Sequence, residues 1–434
     1  MKISPFILLV VLFCFPSLQI AGQIGEVEQI QKQYRNDILR LVDHQKIQQA
    51  YQWILDYDEQ SVKDLIFLTE IPAPPFKEKT RAKALVKMFI EAGADSVWMD
   101  EVDNVLVLRK GTKGGKTVAL DAHTDTVFPE GTDVSVKVKG DTLYAPGIGD
   151  DTRGVAMILA VFKAMNEAQI QTETDILFIG SVGEEGLGDL RGVKHLFRKD
   201  GPGIDSWISI DGGEIGRVNN KGLGSVRYKV VFHGPGGHSW GAFGLANPHH
   251  ALGSAIHHFT READTFTSYG ERTSYNVGVI TGGTSVNSVP FESIMQVDMR
   301  SVSPARLDSI ENILHQAVTR ALHEQNKIAR IGDTLTVEMI KIGDRPSGEL
   351  SATLPLIQRA MAATASFGKA PRLTRGSTNS NIPISMGIPA VTIGRGGRAQ
   401  NAHSLNEWWL NDNGYQATQL ALLLLIAESG LASD

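Results

Sequence analysis

The sequence has only one cysteine among its 434 residues, and it lacks long basic runs, internal repeats and low-complexity segments. The absence of a basic run, together with a formal net charge of −6, argues against nucleic acid as a partner. The apolar runs 7–15 and 420–427 are both shorter than the roughly 20 residues that a helix needs to cross a bilayer. We therefore expect a mature chain without a membrane span.

The single cysteine, Cys14, lies in a segment with the layout of a secretory signal peptide. Lys2 gives a basic start, residues 7–15 are almost wholly apolar, and the small residues Ala21 and Gly22 follow at a suitable cleavage position. We predict that residues 1–22 are a signal peptide and that the protein is exported, either periplasmic or secreted. Cleavage would remove Cys14, which excludes disulfide bonds and thiol chemistry from the mature chain. An uncleaved N-terminal anchor is the alternative.

Apolar periodicity divides most of the remaining chain into the helices and strands of an α/β protein. Residues 23–69 carry apolar side chains at three- and four-residue steps, which is typical of helices. Further helices are predicted at 80–92, 154–166, 352–364 and 415–428. Short buried strands are predicted at 105–108, 117–120, 175–181, 207–210 and 390–393. Strands that alternate with helices predict a mostly parallel central sheet flanked by helices.

Residues 222–341 have a different pattern, with the order strand-helix-strand-strand-helix-strand. The strands are predicted at 225–232, 274–281, 293–300 and 334–340, and the helices begin after Asn247 and Ser303. This is the order of a ferredoxin-like α+β module. Its position between two α/β segments predicts an insertion, so we divide the mature chain into one domain of residues 23–221 and 342–434 and an inserted domain of residues 222–341.

Titratable side chains lie just after several of the predicted buried strands or in Gly-rich loops. Because the carboxyl ends of parallel strands meet at one edge of a sheet, we expect these side chains to lie close together. The set contains two imidazoles and five carboxylates: His123, Asp125, Asp150, Glu184, Glu185, Asp211 and His403. Taken singly, each has an ordinary interpretation as a helix cap, a surface charge, a turn or a structural histidine. Their shared placement favours a functional site.

Imidazole and carboxylate ligands together suit two divalent metal ions of the zinc type. One carboxylate can bridge two such ions, which lie about 3.5–4 Å apart in two-metal hydrolases. A remaining carboxylate that binds no metal would be the general base, because it could take a proton from a metal-activated water. The residue types therefore predict a hydrolytic two-metal centre.

Six ordered motifs resemble those of the co-catalytic zinc peptidase family, which includes tripeptidase T, carnosine-type dipeptidases, glutamate carboxypeptidase G, aminoacylase and acetylornithine deacetylase. The resemblance covers nearly all of the mature chain, and it implies a zinc-peptidase-like catalytic domain with an inserted lid domain. The matching motifs are His123-Thr124-Asp125, Gly149-Asp150-Asp151, Gly183-Glu184-Glu185-Gly186, Asp211-Gly212-Gly213, Gly236-Gly237-His238-Ser239 and Asn401-Ala402-His403-Ser404.

The resemblance implies two divalent metal ions, most often zinc in this family, with cobalt or manganese as alternatives. One ion would be held by His123, Asp150 and Asp211. The other would be held by Glu185 and His403 together with Asp150, which would bridge the two ions.

The same resemblance assigns roles to residues that bind no metal. Glu184 would be the general base and proton shuttle, and Asp125 would orient the imidazole of His123. The bond between Asp150 and Asp151 would be a cis peptide.

Residues of the lid would bind the substrate. The resemblance implies that His238 stabilises the oxyanion, often from across a dimer, so a homodimer through the lid is expected. Asn287 and Arg300 would hold the substrate backbone or its terminal carboxylate. The loop 376–379 resembles a substrate-side loop that commonly ends in Asp, so Asn379 is a departure from the family pattern.

We therefore expect an exported two-metal exopeptidase of short peptides. In the family, Asp at position 211 accompanies aminopeptidases and di- or tripeptidases, whereas Glu accompanies carboxypeptidases and deacylases. The alternatives are an N-acyl amino acid deacylase, a glutamate-type carboxypeptidase, or, more remotely, a non-catalytic peptide-binding protein. The presence of Glu184 beside all five ligands favours an enzyme over the binding protein.

Overall fold

The computed structural model describes residues 30–433, so the predicted signal peptide and Cys14 lie outside the described residues. Within residues 30–433, no helix combines the length and the apolar character that a membrane crossing requires. The described helices are α1 (Lys32–Val42), α2 (Gln45–Asp56), α3 (Asp58–Thr69), α4 (Lys79–Glu91), α5 (Thr152–Glu167), α6 (Arg191–Leu196), α7 (Pro248–Thr267), α8 (Pro304–Ile328), α9 (Pro355–Ser366), α10 (Asn381–Ser385) and α11 (Tyr415–Ser429).

The strands follow the same numbering along the chain. Those before the inserted region are β1 (Val97–Met99), β2 (Val105–Arg109), β3 (Thr117–His123), β4 (Lys137–Lys139), β5 (Thr142–Tyr144), β6 (Asp175–Ser181), β7 (Ser206–Ile210) and β8 (Arg217–Gly222). The remainder are β9 (Gly224–His233), β10 (Gly237–His238), β11 (Thr273–Gly282), β12 (Ser288–Val289), β13 (Glu292–Ser301), β14 (Thr336–Arg345), β15 (Gly348–Glu349), β16 (Arg372–Gly376), β17 (Ala390–Ile393), β18 (Arg398–Gln400) and β19 (Trp408–Leu410).

The central sheet has nine strands in the order β1-β2-β6-β3-β7-β17-β8-β15, with β16 paired to β8. Its middle four strands, β6, β3, β7 and β17, are mutually parallel, whereas the outer pairs β1/β2, β2/β6, β17/β8 and β8/β15 are antiparallel. The predicted α/β fold with a mostly parallel centre is confirmed.

The main hydrophobic core lies between this sheet and the helices packed on it. Helix α11 is apolar all round, and its residues 420–426 are at most 1% exposed. A helix that is hydrophobic on every face has to be buried, so this apolar run belongs to the core rather than to a membrane.

A separate four-stranded antiparallel sheet, in the order β11-β13-β9-β14, carries helices α7 and α8. Its alternating strands supply their own apolar cluster, which includes Val230, Phe259, Met295 and Leu314. The chain order β9-α7-β11-β13-α8-β14 is the strand and helix order of the predicted ferredoxin-like module. The domain limits 222–341 stay a prediction, and β14 continues beyond residue 341 to Arg345.

Candidate active site

Four neighbouring parallel strands bring functional side chains to one edge of the central sheet. Strand β3 ends at His123, which is still paired in the sheet, rather than at residue 120 as predicted. Glu184 and Glu185 follow β6, and Asp211 follows β7. The fourth strand, β17, leads to Arg395, which the sequence analysis missed although the same placement rule would have found it.

The loop that carries Asp150 is fixed by Glu407. The carboxylate of Glu407 accepts hydrogen bonds from the backbone N–H groups of Gly147, Gly149 and Asp150 at 2.7, 2.9 and 2.8 Å. The bond between Asp150 and Asp151 is cis, which confirms that expectation. Because Glu407 follows His403 by four residues, one buried carboxylate ties together two segments of the site.

Asp150 lies between the two histidines, with a different oxygen toward each. Its Oδ1 is 3.4 Å from His123 Nε2, and its Oδ2 is 3.3 Å from His403 Nε2. The other contact of His403 Nε2 is Glu185 Oε1, at 2.8 Å. A carboxylate with its two oxygens facing two imidazoles has the arrangement that a bridging ligand requires.

The donor set fits divalent metal ions. The candidate ligand atoms of His123, Asp150 and Glu185 lie within 4.8 Å of one another. Hydrogen bonds to Asp150 and Glu185 raise the pKa of His403 to about 10. The neighbouring carboxylates therefore favour positive charge at this position. A divalent cation would supply that charge, and its binding would release the protons from the imidazoles.

Arg395 is one of two buried arginines in the site. Its Nη1 lies 3.0 Å from Asp150 Oδ1, 3.4 Å from Asp151 Oδ1 and 3.6 Å from Asp211 Oδ1. Although burial acts in the opposite direction, the Arg395 guanidinium and the two imidazoles hold the pKa of Asp150 well below its usual range. For Asp151 and Asp211, burial prevails and raises the pKa of each carboxyl.

Glu184 is buried and is held by Arg345, a second arginine that the sequence analysis missed. Arg345 Nη1 donates to Glu184 Oε1 at 3.0 Å, and Arg345 Nη2 donates to the Glu184 backbone carbonyl. Burial raises the pKa of Glu184 to about 8, while Arg345 acts in the opposite direction. Within residues 30–433, no protein donor binds Glu184 Oε2, so one carboxylate oxygen is left for a substrate or water.

Asp125 supports the two glutamates more directly than it supports His123. Its carboxylate accepts the backbone N–H groups of Glu184 and Glu185 at 3.0 and 2.8 Å. His123 Nδ1 lies 3.0 Å from the backbone carbonyl of Asp125 and 3.6 Å from its carboxylate. Asp125 therefore contacts both the imidazole and the turn that presents Glu184 and Glu185.

The predicted substrate-binding residues of the lid separate into two groups. Arg300 lines a cavity of about 410 Å³ together with Asp150, Glu184, Asp211 and His403. His238 and Asn287 do not line this cavity. Both are exposed and lie close together at the short antiparallel pair of strands β10 and β12, where Ser239 N–H donates to the Asn287 carbonyl at 2.9 Å. Substrate roles for these two residues stay a prediction.

Asn379 is buried beneath the site rather than facing the substrate. Gly376, Ser377 and Thr378 line the cavity, whereas Asn379 is 1% exposed. Its Nδ2 donates at 2.8 Å both to Asp121 Oδ2 and to Ser181 Oγ. An amide at this position can donate to Asp121, which an ionised carboxylate could not do, and this explains the departure from the family pattern.

Comparison of the sequence with known proteins identifies a matching family. The sequence profile described as Peptidase family M20/M25/M40 matches residues 119–427. The Bacillus subtilis protein YqjE is 24% identical over 81% of this chain and 93% of its own length. Carboxypeptidase G2 from Pseudomonas sp. is 30% identical, over 30% of this chain and 32% of its own length.

Solved structures share the fold. The aminopeptidase PepT from Bacillus cereus has a TM-score of 0.66 and 21% identity, over 86% of this chain and 98% of its own. The YXEP protein of Bacillus subtilis, described as a dinuclear metal binding peptidase, has a TM-score of 0.61 and 16% identity, over 86% of this chain and 99% of its own. At these identities the likeness establishes the architecture alone.

Proposed function

This chain belongs to the peptidase family M20/M25/M40 and is a metal-dependent hydrolase, and from that premise we propose that it is an exported two-metal exopeptidase of short peptides. The observation that carries the proposal is the position of Asp150, whose two oxygens face His123 and His403 next to the buried Glu184. A ligand set with an intact neighbouring base favours turnover over binding alone.

His123, Asp150 and Asp211 would hold one metal ion, and Asp150, Glu185 and His403 would hold the other. We propose zinc as the native metal, because imidazole and carboxylate ligands suit it, with cobalt and manganese as alternatives. When bound, such ions supply Lewis acidity that lowers the pKa of water and polarises a carbonyl oxygen.

Glu184 would transfer a proton from the attacking water to the leaving nitrogen. In the attack step, the water oxygen forms a bond to the carbonyl carbon of the substrate, and Glu184 Oε2 accepts the proton that the water loses. In the second step the carbon–nitrogen bond breaks, and Glu184 delivers that proton to the leaving nitrogen. Arg345 supports this role because it fixes Oε1 at 3.0 Å and leaves Oε2 free of protein donors among residues 30–433.

Asp211 favours an aminopeptidase or a di- or tripeptidase over the other activities of the family. The resemblance of the sequence to peptidases with Asp at this position supports the proposal. A glutamate-type carboxypeptidase or an N-acyl amino acid deacylase is the second candidate, supported by the partial similarity to carboxypeptidase G2. These candidates share the hydrolytic chemistry and differ in the end of the substrate that is bound.

We also propose that the protein is exported and that it forms a homodimer. The predicted signal peptide, residues 1–22, supports a periplasmic or secreted location. A homodimer through the lid is supported by β11, an edge strand of the lid sheet whose Val279 and Ile280 are 41% and 58% exposed. Sedimentation of the mature chain would give a monomer mass if this pairing is wrong.

A panel of substrates tests which activity the protein has. Free dipeptides and tripeptides, amino-blocked dipeptides and carboxyl-blocked dipeptides would be incubated with the zinc-loaded mature chain, and product release would be followed by chromatography. The proposal predicts cleavage of free peptides, slower cleavage of carboxyl-blocked peptides, which lack the carboxylate that Arg300 would bind, and loss of cleavage when the amino terminus is blocked. Cleavage of the amino-blocked peptides alone would replace it with the deacylase or carboxypeptidase alternative.

A further inference from the structure

Four arginines line the cavity beside the candidate metal ligands: Arg217, Arg227, Arg300 and Arg345. So high a density of permanent positive charge in one cavity needs compensation by protein or ligand anions, because unpaired charge is costly when water is excluded. Arg345 is paired with Glu184 at 3.0 Å. The partners of the other three arginines determine which ligands the cavity can bind.

Arg227 and Arg300 share one carboxylate. Asp298 lies opposite Arg227 in the β13/β9 register, and it lies two residues before Arg300 on the same strand. Asp298 Oδ1 accepts from Arg227 Nε and Oδ2 accepts from Arg300 Nε, each at 2.8 Å. Both bonds use Nε. Among the described residues, both Nη groups of Arg300 and the Nη2 group of Arg227 therefore have no protein acceptor.

Arg217 has no anionic partner at all among residues 30–433. It begins β8 and packs over the turn that follows the candidate ligand Asp211, so closely that a Cβ on Gly212 would lie 2.9 Å from Arg217 Nη1. The nearby Glu214 is already paired with Arg372 at 2.9 Å. The guanidinium of Arg217 is half-buried and lines the cavity as a free cation.

Asp150, Glu185 and Asp211 also line the cavity, but these carboxylates are the proposed metal ligands. When they are assigned to the metal ions, Asp298 and Glu184 compensate two of the four arginines, and two positive charges remain. A peptide with a neutral side chain offers one carboxylate, at its terminus, and it would leave one of these charges without a partner. We propose that the cavity selects peptides with a second carboxylate, an Asp or Glu side chain. Arg217 binds this side chain, and the Arg227–Arg300 pair binds the terminal carboxylate. This inference rests on the proposed peptidase function and names its substrate class.

The test compares isosteric substrates that differ only in charge. Ala-Glu against Ala-Gln, and Glu-Ala against Gln-Ala, would be assayed for kcat/KM with the zinc-loaded mature chain. We expect the acidic member of at least one pair to be preferred by about tenfold or more, since a charge-assisted hydrogen bond contributes this much. Equal values within both pairs would overturn the inference while leaving the peptidase function in place.

Variants assign the preference to Arg217. We expect Arg217→Gln to bring the acidic-to-neutral ratio close to one, and Arg217→Lys to keep part of it because the charge remains. Arg320→Gln is the control, because Arg320 is exposed on α8, pairs with Glu324 at 2.9 Å and does not line the cavity. The ratio should not change in this control. A preference that survives Arg217→Gln in a folded protein would contradict the assignment.

A binding measurement separates this inference from the proposed function. Titration calorimetry with L-glutamate and L-glutamine needs no turnover, so it works even if no peptide is cleaved. Tighter binding of L-glutamate that is lost in Arg217→Gln would support the acidic subsite on its own. Equal binding of the two amino acids by the parent protein, with or without peptidase activity, would count against it. A thermal melt of each variant verifies that it is folded.

Discussion

Asp121 and Asn379 form a buried pair in which one side chain carries the charge and the other donates to it. Asn379 Nδ2 lies 2.8 Å from Asp121 Oδ2, and Ser209 Oγ donates to the same oxygen at 2.9 Å. Burial raises the pKa of Asp121 to about 6, although its hydrogen bonds act in the opposite direction. The geometry has room for one carboxylate at this contact, and the sequence places it on residue 121.

This pair gives a prediction about stability. Asn379→Asp should lower the free energy of unfolding at neutral pH by about 3 kcal/mol, because it removes a donor and buries a second carboxylate. The double variant Asp121→Asn with Asn379→Asp should recover most of the loss, since it restores one donor and one acceptor. Urea denaturation measures both effects. Asn36→Asp, on the exposed part of α1, is the control and should change stability by less than about 0.5 kcal/mol.

If the double variant were as unstable as the single one, a charge specific to residue 121 would be required, and the interpretation of the contact as a simple donor–acceptor pair would be wrong.

Glu184 is the residue on which the proposed mechanism depends most. Glu184→Ala should keep the metal content of the protein, because Glu184 is not among the proposed ligands, and should lower kcat by about a hundredfold or more. Metal analysis and dipeptide hydrolysis on the same sample measure both quantities. Loss of metal from this variant would instead make Glu184 a ligand. Glu349→Ala, on an exposed side chain paired with Lys221, is a control for the loss of a carboxylate.

At the scale of elements, the sequence predicted the strands that have an apolar run or an apolar alternation, such as β6 and β13, and missed strands that have neither. β17 and, after its first residue Asp175, β6 consist of consecutive buried residues, and the sequence analysis placed both strands correctly. Strand β8 is rich in polar residues, with Asn219 and Asn220 buried, so no hydrophobic pattern identified it and Arg217 was missed with it. Strand β14 was ended too early because its register shifts between Lys341 and Gly343, which interrupts the alternation before Arg345.

The same difference between apolar and polar segments determined which residues of the site could be predicted from the sequence. The side chains that follow apolar strands were predictable from their position alone. Arg395, which follows β17, could have been found in the same way. Arg345 could not, because an arginine within a strand is expected to be exposed until its partner is known. Arg395 and Arg345 have their partners, Asp150 and Glu184, 245 and 161 residues away in the sequence. Only the folded chain brings these charges together.

The loop that carries Asp150 gives a prediction at this scale. Glu407→Gln keeps the shape of the side chain but weakens its bonds to three backbone N–H groups, because the amide is a poorer acceptor than the carboxylate. We expect the affinity for zinc to fall by about tenfold to a hundredfold, as is typical when support for a ligand is removed. Competition with a chromophoric chelator measures this affinity. Unchanged zinc affinity would mean that the loop is held by other contacts.

At the scale of the whole molecule, polar contacts join the two large sheets at the loop that carries the proposed base. The antiparallel sheet β11-β13-β9-β14 has its own apolar cluster, distinct from that of the central sheet. Between them, Arg227 Nη1 donates to the Gly186 carbonyl at 2.8 Å and Asp344 N–H donates to Asp189 Oδ1 at 2.9 Å. Together with the pairing of Arg345 and Glu184, these contacts hold strands β9 and β14 against residues 184–189. The cavity therefore has one wall from each sheet.

Peptide hydrolysis in this cavity would require both the two bound metal ions and Glu184. The most direct measurement is dipeptide hydrolysis by one preparation of the mature chain before chelation, after removal of metal by a chelator, and after zinc is restored. We predict activity in the first sample, its loss in the second, and its recovery in the third as zinc binding approaches two ions per chain. Hydrolysis that continues unchanged in the chelated, metal-free protein would contradict the two-metal mechanism.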